Sequence, residues 1–330
     1  MNWPGGLAGL ALAAALAACA RDAPSPPPKA PVPYGPGLAV VTTPVRLNPT
    51  NPRQIRIGRF VYAGGLVLTS YQTSRLHGLS DLKVWPDGRL LAVGDEGDLL
   101  EGRIELNPAG KLIGFGQAKL SELKGEDGQP VASRGKRESD SEGIAELPNG
   151  DRLVSFEEDD RILLYPHDGG PPRRAPMPDE AFPFNSGMEA LAQDPQAGPD
   201  AYLVGGEASG QTWLCRLSAA CTPEHKVAKD EAFGLTAVAP LPEGRTAYLL
   251  RAFDPIRGAR IRLSICCDAR GGTLDELDLG RPLTVDNFEG LAAVPGVGGE
   301  VRFYIVSDDN FSRLQRTLLL AFDWRPPKRR

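Results

Sequence analysis

Acidic residues open one apolar run after another in this chain. They are Asp81 in Ser80-Asp81-Leu82, Glu142 in Ser141-Glu142-Gly143-Ile144-Ala145, Glu189 in Met188-Glu189-Ala190-Leu191-Ala192 and Glu289 in Phe288-Glu289-Gly290-Leu291-Ala292. A turn follows each, then a second apolar run that ends in acid: Asp95-Glu96, Glu157-Glu158, Glu207 and Asp308-Asp309. Carboxylates that hold one place in a recurring unit are expected to converge. Like charges in a partly desolvated space raise one another's pKa or recruit a cation. Hard oxygen ligands suit Ca²⁺ or Mg²⁺. The expected ligands of a divalent cation, with Ca²⁺ the first choice, are Asp81, Glu142, Glu189, Glu289, Asp308 and the carbonyl of Asn287. Such an ion could polarise a phosphoryl oxygen or lower the pKa of a water. An acid that keeps its proton could serve a leaving group, and Glu142, Glu189 and Glu289 are the catalytic candidates. Glu158, Glu207, Asp309 and Asn310 are expected around them as substrate contacts. Arg251 holds the register that acids fill in other repeats. It could clamp a phosphate or carboxylate, or pair with a ring acid. The competing reading is that acids at strand ends hold neighbouring strands together through backbone hydrogen bonds.

The elements that must position these residues are β-hairpins. Leu82-Lys83-Val84-Trp85 meets the turn Pro86-Asp87-Gly88 and then Leu90-Leu91-Ala92-Val93; Ile144 to Leu147 meets Pro148-Asn149-Gly150 and then Leu153-Val154-Ser155-Phe156. Asp-Gly and Asn-Gly between apolar runs are hairpin turns. The openings at Asp81, Glu142, Glu189, Thr236 and Glu289 recur at roughly the blade length of a propeller. The expected fold is therefore all-β: a single β-propeller over residues 39–330, of six blades, with five or seven as alternatives and a pair of β-sandwiches as the rival. Residues 38–75 are expected to supply the sixth blade, alone or shared with the C-terminus. In a propeller the start of each first strand and the end of each second strand lie at one mouth of the central channel, so both sets of acids meet there. Leu123 to Asp140 reads as a polar surface loop, with Arg134-Gly135-Lys136-Arg137 as solvated charge. The fourth repeat, Gly234-Leu235-Thr236-Ala237, lacks the acid.

These stretches resemble the phytase-like family, described as esterase-like activity of phytase, from about Gly78 to Trp324. The most specific pieces are Thr284-Val285-Asp286-Asn287-Phe288-Glu289-Gly290-Leu291-Ala292 and Ser307-Asp308-Asp309-Asn310-Phe311-Ser312, continuing through Gln315-Arg316-Thr317-Leu318-Leu319-Leu320. Asp140-Ser141-Glu142-Gly143-Ile144-Ala145 and Asn185-Ser186-Gly187-Met188-Glu189-Ala190-Leu191-Ala192 also fit. The resemblance implies a β-propeller with several acidic residues on its functional face and a phosphoesterase-like activity. Thr236 departs from it, where an acid is common.

Bulk properties set the context. The chain has 330 residues, 38 Gly, 31 Pro and a net charge of -5. That balance argues against nucleic acid as a partner. Leu7 to Ala18 is an apolar run too short to span a bilayer, and it fits a signal peptide over residues 1–18. Leu16-Ala17-Ala18-Cys19 resembles a bacterial lipobox, which implies lipidation of Cys19 and a membrane contact through that lipid. Met1 to Gly6 lacks the usual basic residues. By resemblance to Gram-negative lipoproteins, Ala20 after the cysteine implies the outer membrane, facing the periplasm; simple secretion is the alternative. Residues 19–38 form a Pro-rich tether. Of the remaining cysteines, Cys215 and Cys221 are the expected disulfide, leaving Cys266-Cys267 as a strained vicinal pair or as free thiols. The spacing does not suit zinc, and His77 is the only histidine placed near the acidic face. The function expected is an exported, monomeric propeller that hydrolyses phosphate esters at an acidic, metal-binding mouth. The alternative is a non-catalytic envelope propeller that binds a ligand or protein partner.

Overall fold

Gly88 and Gly150 occupy the left-handed region, with φ of +86° and +89°. The Gly88 N–H donates to the Trp85 carbonyl and the Gly150 N–H to the Leu147 carbonyl, at 2.9 and 2.8 Å. These turns return each inner strand on itself, and the same unit recurs around an axis. The computed structural model describes residues 37–266 and 272–327. The expected signal peptide, Cys19, most of the expected tether and Cys267 lie outside the described residues. Cys266 is disulfide-bonded. No described helix is long and apolar enough to cross a membrane.

Five antiparallel sheets form the blades. The first holds Leu79–Val84, Arg89–Gly94, Asp98–Leu106 and Leu112–Glu122, from the axis outward. The second holds Ser141–Glu146, Arg152–Phe156, Arg161–Tyr165 and Arg173–Ala175. The third holds Ala190–Gln193, Ala201–Gly205, Gln211–Arg216 and Ala219–Lys226. The fourth holds Gly234–Leu241, Arg245–Asp254, Gly258–Cys266 and Thr273–Leu279. In the fifth, Asn287–Pro295, Val301–Asp308 and Leu318–Trp324 continue into Phe60–Thr69 and then Val41–Pro44. The five inner strands neighbour one another in a closed ring, the fifth lying beside the first.

The blade count is thus five, the alternative to the expected six. The N-terminal strands make no blade of their own, because Phe60–Thr69 pairs antiparallel with Leu318–Trp324, for example Leu66 with Leu319 and Tyr62 with Phe322. That pairing buries Phe60, Leu66, Phe322 and Trp324 completely, and Phe60 stacks on Trp324 with ring centroids 6.4 Å apart. Closure through chain ends removes the open sheet edges that an unclosed ring would expose. Apolar residues of adjacent blades fill the space between them. The largest such cluster, at the fourth and fifth blades, includes Leu249, Leu263, Ile265, Phe288, Phe303 and Trp324.

Two local features shape the mouth. The inner strands of the first, second, fourth and fifth blades carry register shifts at one place, between Leu79 and Asp81, Ser141 and Ile144, Leu235 and Ala237, and Phe288 and Gly290. Such bulges re-aim the side chains beside them. The segment expected to be a surface loop is also anchored. It contains a 3₁₀ turn, Val131–Arg134, and a short helix, Lys136–Ser139. Val131 is buried against Gly97, where a Cβ would come within 2.4 Å of the Val131 side chain.

Candidate functional site

The mouth is built from three positions of each repeat. The first is the residue opposite the end of the second strand. The carbonyls of Gly78, Asp140 and Gly187 accept from the N–H groups of Asp95, Glu157 and Glu207 at 2.9, 2.8 and 3.0 Å; Gly234 pairs with Arg251 and Asn287 with Asp308. Two residues further on, at or beside the bulge, stand Ser80, Glu142, Glu189, Thr236 and Glu289. The second strands return Asp95, Glu157, Glu207, Arg251 and Asp308 to the same face. Acids from several blades therefore share one end of the channel.

On the second-blade side, Asp140, Glu142 and Glu157 each offer a carboxylate oxygen, and these oxygens lie within 4.8 Å of one another. Oxygens bound to one Ca²⁺ stand up to about 5 Å apart, twice the metal–oxygen distance, so the three fit one ion. Asp140 is 1% exposed. Its Oδ1 accepts from Lys136 Nζ at 2.6 Å, while its Oδ2 is buried with no hydrogen-bond partner. Glu189 Oε2 is likewise buried and unpartnered. An unpaired buried carboxylate oxygen is costly, and a cation would satisfy it. Burial pushes the Glu142 carboxyl well above the ordinary range, helped by the charges of Glu189, Asp140, Glu157 and Asp95. Burial lifts Glu157 to about 7 against a hydrogen bond from the Gly187 N–H, with Asp140 and Glu207 adding to the rise. Glu189 is raised well above its usual value by burial; Arg251 opposes the shift, and Glu207 and Glu157 reinforce it.

On the other side one guanidinium serves the acids. Arg251 Nη1 contacts Glu289 Oε1 directly, and Nη2 lies 3.0 Å from Glu207 Oε1 and 3.6 Å from Glu189 Oε1. Burial works against the Arg251 charge, but Glu189 and Glu207 outweigh it and its pKa rises. Asn287 Nδ2 donates to Glu289 Oε1 at 2.8 Å and to Asp308 Oδ2 at 3.3 Å. Asp308 is lifted to about 6, chiefly by burial.

Several expected residues take other roles. Asp81, expected as a ligand, has both carboxylate oxygens engaged within the protein. It is fully buried and accepts from the N–H groups of Leu82, Ile144 and Leu291 and from Lys83 Nζ, at 2.7, 3.0, 3.3 and 2.6 Å. It ties the first, second and fifth blades together one residue further along the strand, and the mouth position of its blade is Ser80. Glu158 sits in a left-handed turn, with φ of +58°, and Glu157 holds the place assigned to it. Arg251 is engaged by ring acids rather than standing open to a substrate. Asn287, expected to offer its carbonyl to the ion, turns its Oδ1 toward Arg251 Nη1 at 3.4 Å. Asp309 accepts from the N–H groups of Gly78 and Phe311 and from the Thr317 hydroxyl, at 3.2, 3.2 and 3.0 Å, joining the fifth blade to the first. Asn310 is exposed and outside the carboxylate ring. His77 packs edge-on against Phe311, with centroids 4.0 Å apart. Cys215 and Cys221 form a disulfide across their hairpin. Asp140, Glu157 and Lys136 were absent from the expected site. Asp140 precedes Glu142 by the same step that separates Asn287 from Glu289, and aligning those two repeats would have revealed it.

A family model described as Phytase-like, esterase-like activity of phytase, matches residues 74–311. No curated protein matches the chain. Among solved structures, a candidate gluconolactonase is similar at 13% identity, covering 89% of this chain and 91% of that one, with a TM-score of 0.45. Virginiamycin B lyase from Staphylococcus aureus is similar at 11% identity over 86% and 99% of the two chains, with a TM-score of 0.43. A candidate 6-phosphogluconolactonase from Bacteroides uniformis is similar at 14% identity over 79% and 80%, with a TM-score of 0.36. Likeness at this level assigns the chain no substrate.

Proposed function

Since the chain belongs to the phytase-like family, we propose that it is a propeller hydrolase of phosphate esters, with a divalent cation, Ca²⁺ by ligand chemistry, held by Asp140, Glu142 and Glu157. The observation that carries this reading is the cluster itself: three carboxylates within reach of one ion, one of them buried with an unpartnered oxygen. All-oxygen, acidic ligation suits a hard cation. When bound, the ion would supply polarisation of a phosphoryl oxygen and neutralise charge that develops there. The chain's own groups do the rest. Glu189 stands beside the cluster with its Oε2 unpartnered, and burial favours its protonated form. It is placed to give a proton to the leaving oxygen. Arg251 holds Glu207 and Glu289 fixed, so the side chains around Glu189 keep their positions. Lys136 covers the rim of the cluster from the anchored segment.

Calorimetric titration with CaCl₂ and with MgCl₂ is the direct test, paired with hydrolysis of phosphomonoesters, phosphodiesters and carboxyl esters with and without EDTA. Binding of one ion is expected, lost in Glu142→Gln and in Glu157→Gln, along with EDTA-sensitive hydrolysis of a phosphate ester. A folded wild-type protein that binds no divalent ion and cleaves no member of the panel would sink the reading.

A further inference from the structure

A groove of about 740 Å³ runs between the fourth and fifth blades on the same face as the acidic mouth. It begins at Asn287, the amide that contacts Arg251, Glu289 and Asp308, and leads outward past residues that follow the mouth strands of both blades. Its volume is that of a small-molecule site.

Its chemistry is opposite to that of the mouth. Arg281 lines it, and among the described residues no carboxylate pairs with Arg281. Arg316 also lines it, with one carboxylate partner, Asp286 Oδ2, at 3.4 Å. The Arg316 side chain is 45% exposed, so donors remain for a ligand. Two arginines face one aspartate here, in a chain of net charge -5 and beside the acids of the fifth-blade side of the mouth. The walls add apolar surface. Phe253 and Leu314 line the groove at 74% and 94% exposure. Large apolar side chains and planar cations along one groove are matched by a ligand that is both apolar and anionic.

We propose that this groove is a subsite for an anionic organic group with an apolar body. Resting on the hydrolase reading above, it receives the part of the substrate beyond the bond that is cleaved. Arg281 and Arg316 hold the charged end, and Phe253 and Leu314 cover the apolar part. The mouth alone would repel such a group, and the arginines offset that repulsion where the substrate enters.

The test is a fluorescence titration with 8-anilinonaphthalene-1-sulfonate in EDTA, a probe that needs neither metal nor turnover. Binding to wild-type protein is expected, with displacement by 1-naphthyl phosphate and not by 1-naphthol at the same concentration. Arg281→Gln should weaken it about tenfold, the scale of one charge-assisted contact, and Leu314→Ser should weaken it too, each with unchanged melting temperature. Glu142→Gln should leave it as in wild type. Equal affinity of wild type and Arg281→Gln, or equal competition by 1-naphthol, would overturn the proposal. So would sedimentation with phosphatidylglycerol vesicles that Arg281→Gln abolishes, because the groove would then serve a membrane. Loss of hydrolysis with intact probe binding would condemn the enzyme reading and leave the groove standing.

Discussion

The two sides of the acidic mouth use the same positions of the same repeat, and each disposes of its charge differently. In the second blade the three positions hold Asp140, Glu142 and Glu157. In the fourth they hold Gly234, Thr236 and Arg251. Arg251 extends to both neighbouring blades and pairs with Glu189, Glu207 and Glu289, so that side carries its own cation. On the second-blade side the cation that bonds the cluster is Lys136, whose side chain is 56% exposed and holds one oxygen of Asp140. A guanidinium in a buried frame is fixed and permanently charged. An exposed lysine is readily displaced by a stronger cation. One half of the mouth therefore neutralises its acids with a side chain of its own, and the other brings together three carboxylates that could hold a metal ion.

Replacing Arg251 should break this contrast most severely. Arg251→Met leaves Glu207 and Glu289 together without a counter-charge, and loss of one partner from a buried ion pair costs about 3–5 kcal/mol. A much lower melting temperature is expected, partly restored by CaCl₂. An unchanged melting temperature in EDTA would mean that the arginine is not what neutralises that side.

The pH dependence of stability separates the sides more gently. Glu157 titrates near 7 and Asp308 near 6 in the folded chain, against about 4 in an unfolded one. Raised carboxyl values mean that the folded state binds more protons, so their contribution is full below about pH 4 and lost as pH climbs through those values. Metal-free protein should lose stability from about pH 5 to about pH 8. Saturating CaCl₂ should flatten the curve, since a cation favours the ionised form. Thermal melts across that range, with EDTA or with CaCl₂, provide the check; a metal-free protein that gains stability toward pH 8 contradicts the assignment.

The smallest effect is expected at Lys136. Its pairing is largely solvated, and such pairs contribute little. Lys136→Gln removes a competitor for Asp140, so calcium should bind tighter, by no more than about fivefold. Weaker binding on calorimetry would show that the lysine supports the site instead of capping it.

Much of this was legible in the chain. The turns at Gly88 and Gly150, the alternation around them and the recurring acid gave an all-β propeller with a carboxylate mouth. The side-chain register was not legible at the bulges. A one-residue slip turns a strand residue to the opposite face, and the bulge between Leu79 and Asp81 places Ser80 at the mouth and Asp81 among three blades. Nor was the blade count, because Phe60–Thr69 meets Leu318–Trp324 across nearly the whole chain and no local signal records that pairing. Asp140 was obscured by the polar segment before it, whose composition resembles a loop although Val131 anchors it.

The shared fifth blade also sets an order of assembly. Phe60–Thr69 leaves the ribosome before the four intervening blades, and its partner Leu318–Trp324 leaves after them. Until that partner emerges, Phe60 and Leu66 face no Trp324 or Leu319, and an unpaired apolar strand is the kind of surface that aggregates. The four intervening blades can form in sequence, each from local hairpins. The ring, and with it the fifth-blade wall that carries Glu289, Asn287 and Asp308, closes only once Leu318–Trp324 has emerged.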